Sequence, residues 1–295
     1  MSPITILDGG MGRELDRVGA PFRQPEWSAL TMFEAPEFVT QVHESYAAAG
    51  AQVITTNAYA LVPFHIGDDR FASDGRRLAA LAGRLAREVA DRHPGVQVAG
   101  CLPPVMGSYR PDLFTVDAAR PLVEVLVEEQ APFVDLWLAE TQSSIAEVEL
   151  VRAVLDAAGA TQPLWTSFTL LDDLTAEGRA TLRSGESITD AVAAAERLGA
   201  VAVSFNCSPP EVMVPAIAEA AEHTSLPIAV YANAFVLNNG EGANASLSEL
   251  RDDMIPAAYT AWADRWIAAG ATIVGGCCGI GSDHVSALSE HLATR

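Results

Sequence analysis

The chain has 295 residues, 49% of them hydrophobic, a formal net charge of −20 and four cysteines. The apolar fraction suffices for a large buried core. The acidity, with no run of lysine and arginine, argues against nucleic acid or an anionic membrane as partner, since neither approaches an acidic surface that lacks a basic patch.

Taken in chain order, short apolar, β-branched runs alternate with longer segments whose apolar residues recur at helical spacing. The predicted strands are 4–8, 53–56, 96–101, 133–139, 164–168, 200–206, 228–232 and 272–276. The helical segments between and after them are 36–49, 74–92, 118–129, 145–158, 188–198, 211–223, 256–269 and 283–292. Strand and helix alternating eight times predicts the α/β class and a single (β/α)8 TIM barrel, with a doubly wound open sheet as the alternative. No Pro- or Ser-rich linker divides the chain, so residues 1–295 are expected to form one domain.

Connections from helix to strand are short and carry Gly50, Gly199 and Gly270, where a helix end favours a left-handed residue. Connections from strand to helix are long and mixed: 57–73, 102–117, 169–187 and 233–253, the last containing Asn238-Asn239-Gly240-Glu241-Gly242. In a barrel these long loops build the carboxyl-terminal face, where ligands bind. The amino terminus has no basic region followed by a long apolar one, and the longest uncharged stretches are broken by glycine, proline and polar residues, so a cytoplasmic protein is expected.

Such a compartment keeps thiols reduced, which favours metal ligation or nucleophilic chemistry over disulfides. Cys207 ends the run Val201-Ala202-Val203-Ser204-Phe205-Asn206, and Cys277-Cys278 lie between Gly275-Gly276 and Gly279 at the end of the eighth strand. A closed barrel brings these two strand ends onto one rim. Three cysteines match the ligand count of a catalytic zinc, which keeps its fourth position open. Adjacent residues of a regular strand face opposite ways, so the pair must leave the strand to share an ion, and the flanking glycines permit that. The bland reading is three small buried hydrophobes. Cys101, solitary before Leu102-Pro103-Pro104, is read as packing.

Asp8, before Gly9-Gly10, and Glu140, at the tip of the fourth strand, bring carboxylates to the same level. Asp before glycine is often a cap, whereas Glu is a poor one, and glycine-rich backbone can cradle an anion. Among the histidines, His65 in a rim loop and His284 beyond the cysteine pair are the two placed to complete a closed, structural zinc site, which would mean a non-catalytic zinc-binding barrel.

The Asp8-Gly9-Gly10-Met11-Gly12 opening, the segment from Gly50 through Thr55-Thr56-Asn57-Ala58-Tyr59, Glu140-Thr141, Phe205-Asn206-Cys207 and Gly275-Gly276-Cys277-Cys278-Gly279 together resemble the homocysteine S-methyltransferase family, in order along almost the whole chain. The resemblance implies a barrel with Zn2+ on Cys207, Cys277 and Cys278 and the homocysteine sulfur completing its shell. It also implies Asp8 and Glu140 on the substrate ammonium, backbone N–H groups at Gly9 and Gly10 on its carboxylate, and Asn206 beside them.

A methyl group would pass from a small cationic donor, S-methylmethionine or S-adenosylmethionine, to the metal-held thiolate. A betaine-type donor, or another thiol or selenol acceptor, is the alternative. Cations sit well over aromatic faces, so Trp27, Tyr59 and Tyr231 are the first candidates for the donor, with Tyr109, Phe168 and Phe235 on the same rim. Arg13 stands where family members often carry threonine. Self-association into a homo-oligomer is left open by these features.

Overall fold

Eight parallel strands follow one another around the molecule in the order β1-β8-β7-β6-β5-β4-β3-β2. They are β1 (Thr5–Ile6), β2 (Val53–Thr55), β3 (Gln97–Leu102), β4 (Leu136–Gln142), β5 (Leu164–Phe168), β6 (Ala202–Asn206), β7 (Ile228–Tyr231) and β8 (Ile273–Val274). The computed structural model describes residues 3–235 and 250–294; the Asn238–Gly242 run of the seventh loop lies outside them. The ring closes between β1 and β2 through a parallel bridge from Leu7 to Val53 and through the bonds Gln52 N–H to Ile6 O (2.7 Å) and Asp8 N–H to Val53 O (3.0 Å). The chain is therefore the predicted (β/α)8 barrel and not an open sheet.

Helices fill the connections: α1 (Met11–Arg17), α2 (Ser28–Glu34), α3 (Glu37–Ala48), α4 (Pro63–Ile66), α5 (Asp68–Ala90), α6 (Val116–Gln130), α7 (Ile145–Ala157), α8 (Ile188–Arg197), α9 (Pro210–His223), α10 (Pro256–Ala269) and α11 (Ser282–Ala293). No described helix is long and apolar enough to cross a membrane. Gly50, Gly199 and Gly270 take φ of 104°, 69° and 125°, the left-handed turn that releases a helix into the next strand. The loop expected at 57–73 is shorter, because α5 begins at Asp68; its first turn is too polar to show an apolar stripe, and Asp68 and Asp69 suit a helix N-terminus for their charge instead.

Alternation along the strands splits the core in two. Trp137 and Ala139 pack outward under the helices, while Leu136 and Leu138 join Leu7, Val53, Ala99 and Tyr231 in a separate cluster. Ala202, Ala229 and Ile273 form another small cluster beside Trp165. Strand β4 runs past Ala139 to Gln142 with a register shift against β5, so Glu140 lies inside the strand and not at its tip. It follows Leu136 and Leu138 on the same face, and so points into the barrel mouth. Directly after it Thr141 takes φ 58°, and Ser143 and Ser144 donate their N–H groups to Glu147 at 2.6 and 2.8 Å, opening α7.

Candidate functional site

At the carboxyl-terminal ends of the strands lies a cavity of about 670 Å3. It gathers residues from almost every loop of the rim, beginning with Asp8 after β1 and ending with Cys277 and Cys278 after β8.

The cysteines form a triangle. The Sγ atoms of Cys207, Cys277 and Cys278 all lie within 4.8 Å of one another, with Cys207 Sγ and Cys278 Sγ 3.9 Å apart. Thiolates bound tetrahedrally to zinc at about 2.3 Å are themselves about 3.8 Å apart, so the side chains already stand at ligand spacing. Among the described residues no histidine or carboxylate joins the three. His65 instead places Nδ1 3.1 Å from Pro25 O, and His284 bridges Gly281 N and Met254 O.

The departure from strand geometry occurs beside the cysteines, but not only at glycine: Cys207 itself adopts φ 51°, and Gly279 φ 84°. Cys207 is buried while Cys277 and Cys278 are partly open to the cavity. Hydrogen bonds from Cys277 and Cys278 to its sulfur pull the Cys207 thiol well below its ordinary range, and Tyr109 helps. Cys277 and Cys278, which donate to it and are desolvated, are pushed well up. Negative charge is thus favoured on Cys207 and disfavoured on its two neighbours, and three thiols crowded in this way could share a cation.

The two carboxyls face the same space. Asp8 accepts Thr55 N–H at 2.6 Å and the Thr55 hydroxyl at 3.1 Å, yet burial, reinforced by the charge of Glu140, pushes its carboxyl up to about 8. Burial likewise pushes Glu140 up to about 7, against a hydrogen bond from the Cys101 thiol. Cys101 Sγ is 3.3 Å from Glu140 Oε2, so this cysteine does more than pack: it steadies the carboxyl group. Two buried acids on one cavity, both with raised affinity for protons, mark a place suited to a cation.

Gly9 and Gly10 lie where no side chain fits. A Cβ on Gly9 would stand 2.2 Å from Ile280 O, and one on Gly10 2.5 Å from Cys277 O. The predicted carboxylate cradle is narrower than expected, because Gly10 N–H already donates to Ile280 O at 2.9 Å. That bond ties the first loop to the cysteine loop, and Tyr46 Oη reinforces it by donating to Gly10 O and Ile280 O at 3.1 and 3.2 Å. Gly10→Ala should therefore displace Cys277 and lower metal content per chain in elemental analysis, while far-ultraviolet circular dichroism stays unchanged.

Asn206 is placed differently from the expectation. Its side chain is fully buried beneath the lining, accepting from Thr141 N (3.1 Å) and Ser167 Oγ (2.8 Å) and donating to Thr141 Oγ1 (2.8 Å). It ties β6 to the turn after Glu140, and its carbonyl oxygen already accepts two hydrogen bonds. Trp27, Tyr59 and Tyr231 line the cavity, as do Tyr109 and Phe235. Phe168 is core, 0% exposed. Tyr59 Oη is 2.8 Å from Ser108 Oγ, and Tyr231 donates to Ser167 Oγ at 2.9 Å.

Sequence reasoning passed over Thr55 and Arg183. The adjacency of β1 and β2 in a closed barrel was the available signal for Thr55. For Arg183, whose guanidinium lies 4.2 Å above the Tyr109 ring, the sequence carries none, because the two residues come from different rim loops.

The homocysteine S-methyltransferase family model matches residues 5–292. Homocysteine S-methyltransferase 1 of Brassica oleracea var. italica is 27% identical, over 98% of this chain and 94% of its own. The selenocysteine Se-methyltransferase of the same plant is 28% identical, over 98% of this chain and 89% of its own. The crystal structure of the homocysteine methyltransferase MmuM from Escherichia coli, in its metallated form, superposes with a TM-score of 0.78 at 27% identity, covering 98% of this chain and 96% of that one.

Proposed function

The chain belongs to the homocysteine S-methyltransferase family, and from that premise we propose that it is a single homocysteine-binding barrel domain which moves a methyl group from a small sulfonium donor to homocysteine, giving methionine. S-Methylmethionine is the donor we place first and S-adenosylmethionine second. Zinc is the metal we assign to Cys207, Cys277 and Cys278; when bound, it would hold the acceptor sulfur as a thiolate at neutral pH, where a free thiol is mostly protonated. The observation that carries the reading is the meeting of a thiol triangle and two buried carboxyls in one cavity.

Asp8 and Glu140 would take the substrate ammonium between them, each giving up the proton that burial favours in the empty site. The substrate carboxylate would turn toward the backbone at Gly9, since Gly10 N–H is already given to Ile280 O. Trp27, Tyr59 and Tyr231 would present their ring faces to the donor cation, whose charge disappears as it leaves as a neutral thioether. With the acceptor fixed in orientation, part of the entropic cost of the bimolecular step is met on binding.

A selenol acceptor is the second reading, favoured by the similarity to a selenocysteine methyltransferase. The test is a panel of S-methylmethionine, S-adenosylmethionine, betaine and methylfolate, with homocysteine or selenocysteine as acceptor and the methylated product measured. Activity with betaine alone would overturn the donor assignment. No product from any pair would overturn the enzymatic reading of the site.

The carboxyls set a pH signature. Both folded-state values lie above the unfolded ones, so between about pH 4 and pH 8 the empty protein holds protons that the unfolded chain has lost, and stability falls as pH rises. An ammonium between them reverses the trend. The melting temperature of the empty protein should decline from pH 5.5 to pH 8. The increment produced by methionine, which has the same ammonium and no thiol proton, should grow over that interval. A methionine increment independent of pH would remove Asp8 and Glu140 from the ammonium site.

A further inference from the structure

Cys207 has a phenol set against its sulfur. Tyr109 Oη lies 2.9 Å from Cys207 Sγ and 3.3 Å from Cys207 O, and the nearer acceptor is the one that carries charge once the thiol is ionised. Tyr109 takes φ 63°, a left-handed backbone that bulky residues rarely adopt without a reason elsewhere in the structure.

The ring is also held from behind. The Arg183 guanidinium stacks 4.2 Å above its centroid, and Arg183 is itself anchored to Asp172 Oδ1 at 2.5 Å. Three rim loops, those after β3, β5 and β6, thus converge on one sulfur atom. Packing alone would be served by phenylalanine; a hydroxyl at hydrogen-bond distance from a buried cysteine implies a demand for the donor.

We propose that Tyr109 is a positioning residue for the metal thiolate of Cys207, aimed by Arg183 and Asp172. Its O–H donates to the sulfur, fixes the χ1 direction that turns Sγ toward Cys277 and Cys278, and draws electron density from it. A thiolate that accepts a hydrogen bond gives less charge to its metal, which leaves the metal better able to hold a further thiolate from the substrate. The inference rests on the three-cysteine metal site proposed above.

The test uses the full chain, stripped of metal and reloaded. Tyr109→Phe keeps the ring and its stacking on Arg183 and removes only the hydroxyl. Its zinc affinity, measured by competition with a chromophoric chelator, should fall about tenfold. In the cobalt-loaded protein the sulfur-to-cobalt charge-transfer band should move to lower energy, because the sulfur lone pairs lose the hydrogen bond that stabilises them. Arg183→Met, which retains the hydroxyl but frees the ring, should lose part of the affinity and broaden the same band. Unchanged zinc affinity and an unmoved band in Tyr109→Phe would overturn the proposal. A wild-type chain that binds neither zinc nor cobalt would instead overturn the metal site on which it stands, so the two failures are told apart.

Discussion

Alanine in place of Cys207, Cys277 or Cys278, one at a time, is expected to abolish metal retention and reduce methyl transfer by several orders of magnitude while the barrel persists. Each substitution leaves two sulfurs where three stand within 4.8 Å of one another, and a two-thiolate remnant has neither the charge nor the ligand count to keep a divalent ion against dilution. Without the metal the acceptor is a thiol, only a few per cent ionised near neutral pH. The fold is spared because the cysteines lie in loops above the core: its layers under the helices and inside the barrel are built from other residues, with Cys277 only packed against the edge of one. The right reference is metal-free wild type, since losing a ligand that binds only the native state lowers the melting temperature by mass action alone. Elemental analysis of the purified variants, with circular dichroism as the fold control, checks the result. A variant that keeps one metal ion per chain would remove its cysteine from the ligand set.

Glu140→Gln separates substrate binding from metal binding. The side chain points into the barrel mouth from the middle of β4, takes a thiol hydrogen bond from Cys101, and lies near Asp8, whose proton affinity it raises. A buried ammonium left with one carboxylate of two loses an interaction of about 2–5 kcal/mol, so the KM for homocysteine should rise by a factor between about 30 and a few thousand. Metal content should stay at the wild-type level and kcat should change far less than KM. Asp8→Asn should behave in the same direction, with Thr55 still able to donate to the amide oxygen. Loss of metal from Glu140→Gln would make that residue a ligand and sink the ammonium model.

The barrel was legible because its strands are buried on both sides and read as unbroken apolar runs, several of them released from a helix by a glycine such as Gly50, Gly199 or Gly270. Elements shorter than the period used to find them were not: α1, α2 and α4 span 7, 7 and 4 residues and show no stripe. The thiol triangle was legible too, because strand ends of a closed barrel share a rim. Direction was harder. Asn206 precedes Cys207, yet one turns inward to hold Thr141 and Ser167 while the other lifts out at positive φ, a difference that no sequence adjacency encodes. Cys101 was read as packing because its partner, Glu140, is 39 residues away. The stacking of Arg183 on Tyr109 belongs to the same class: it exists through the meeting of two loops, not through any local pattern.

The seam between β1 and β2 fixes when this site can exist. Asp8 and Thr55, hydrogen-bonded to each other across that seam, face Cys277 and Cys278, which follow the two-residue strand β8 near the other end of the chain. The pocket therefore has its floor only where the first and last strands of the ring meet, β1 paired with β8. Metal binding would thus report closure of the ring: without β8 and the turn after it only Cys207 of the triangle remains, and one thiolate is too few to hold a divalent ion.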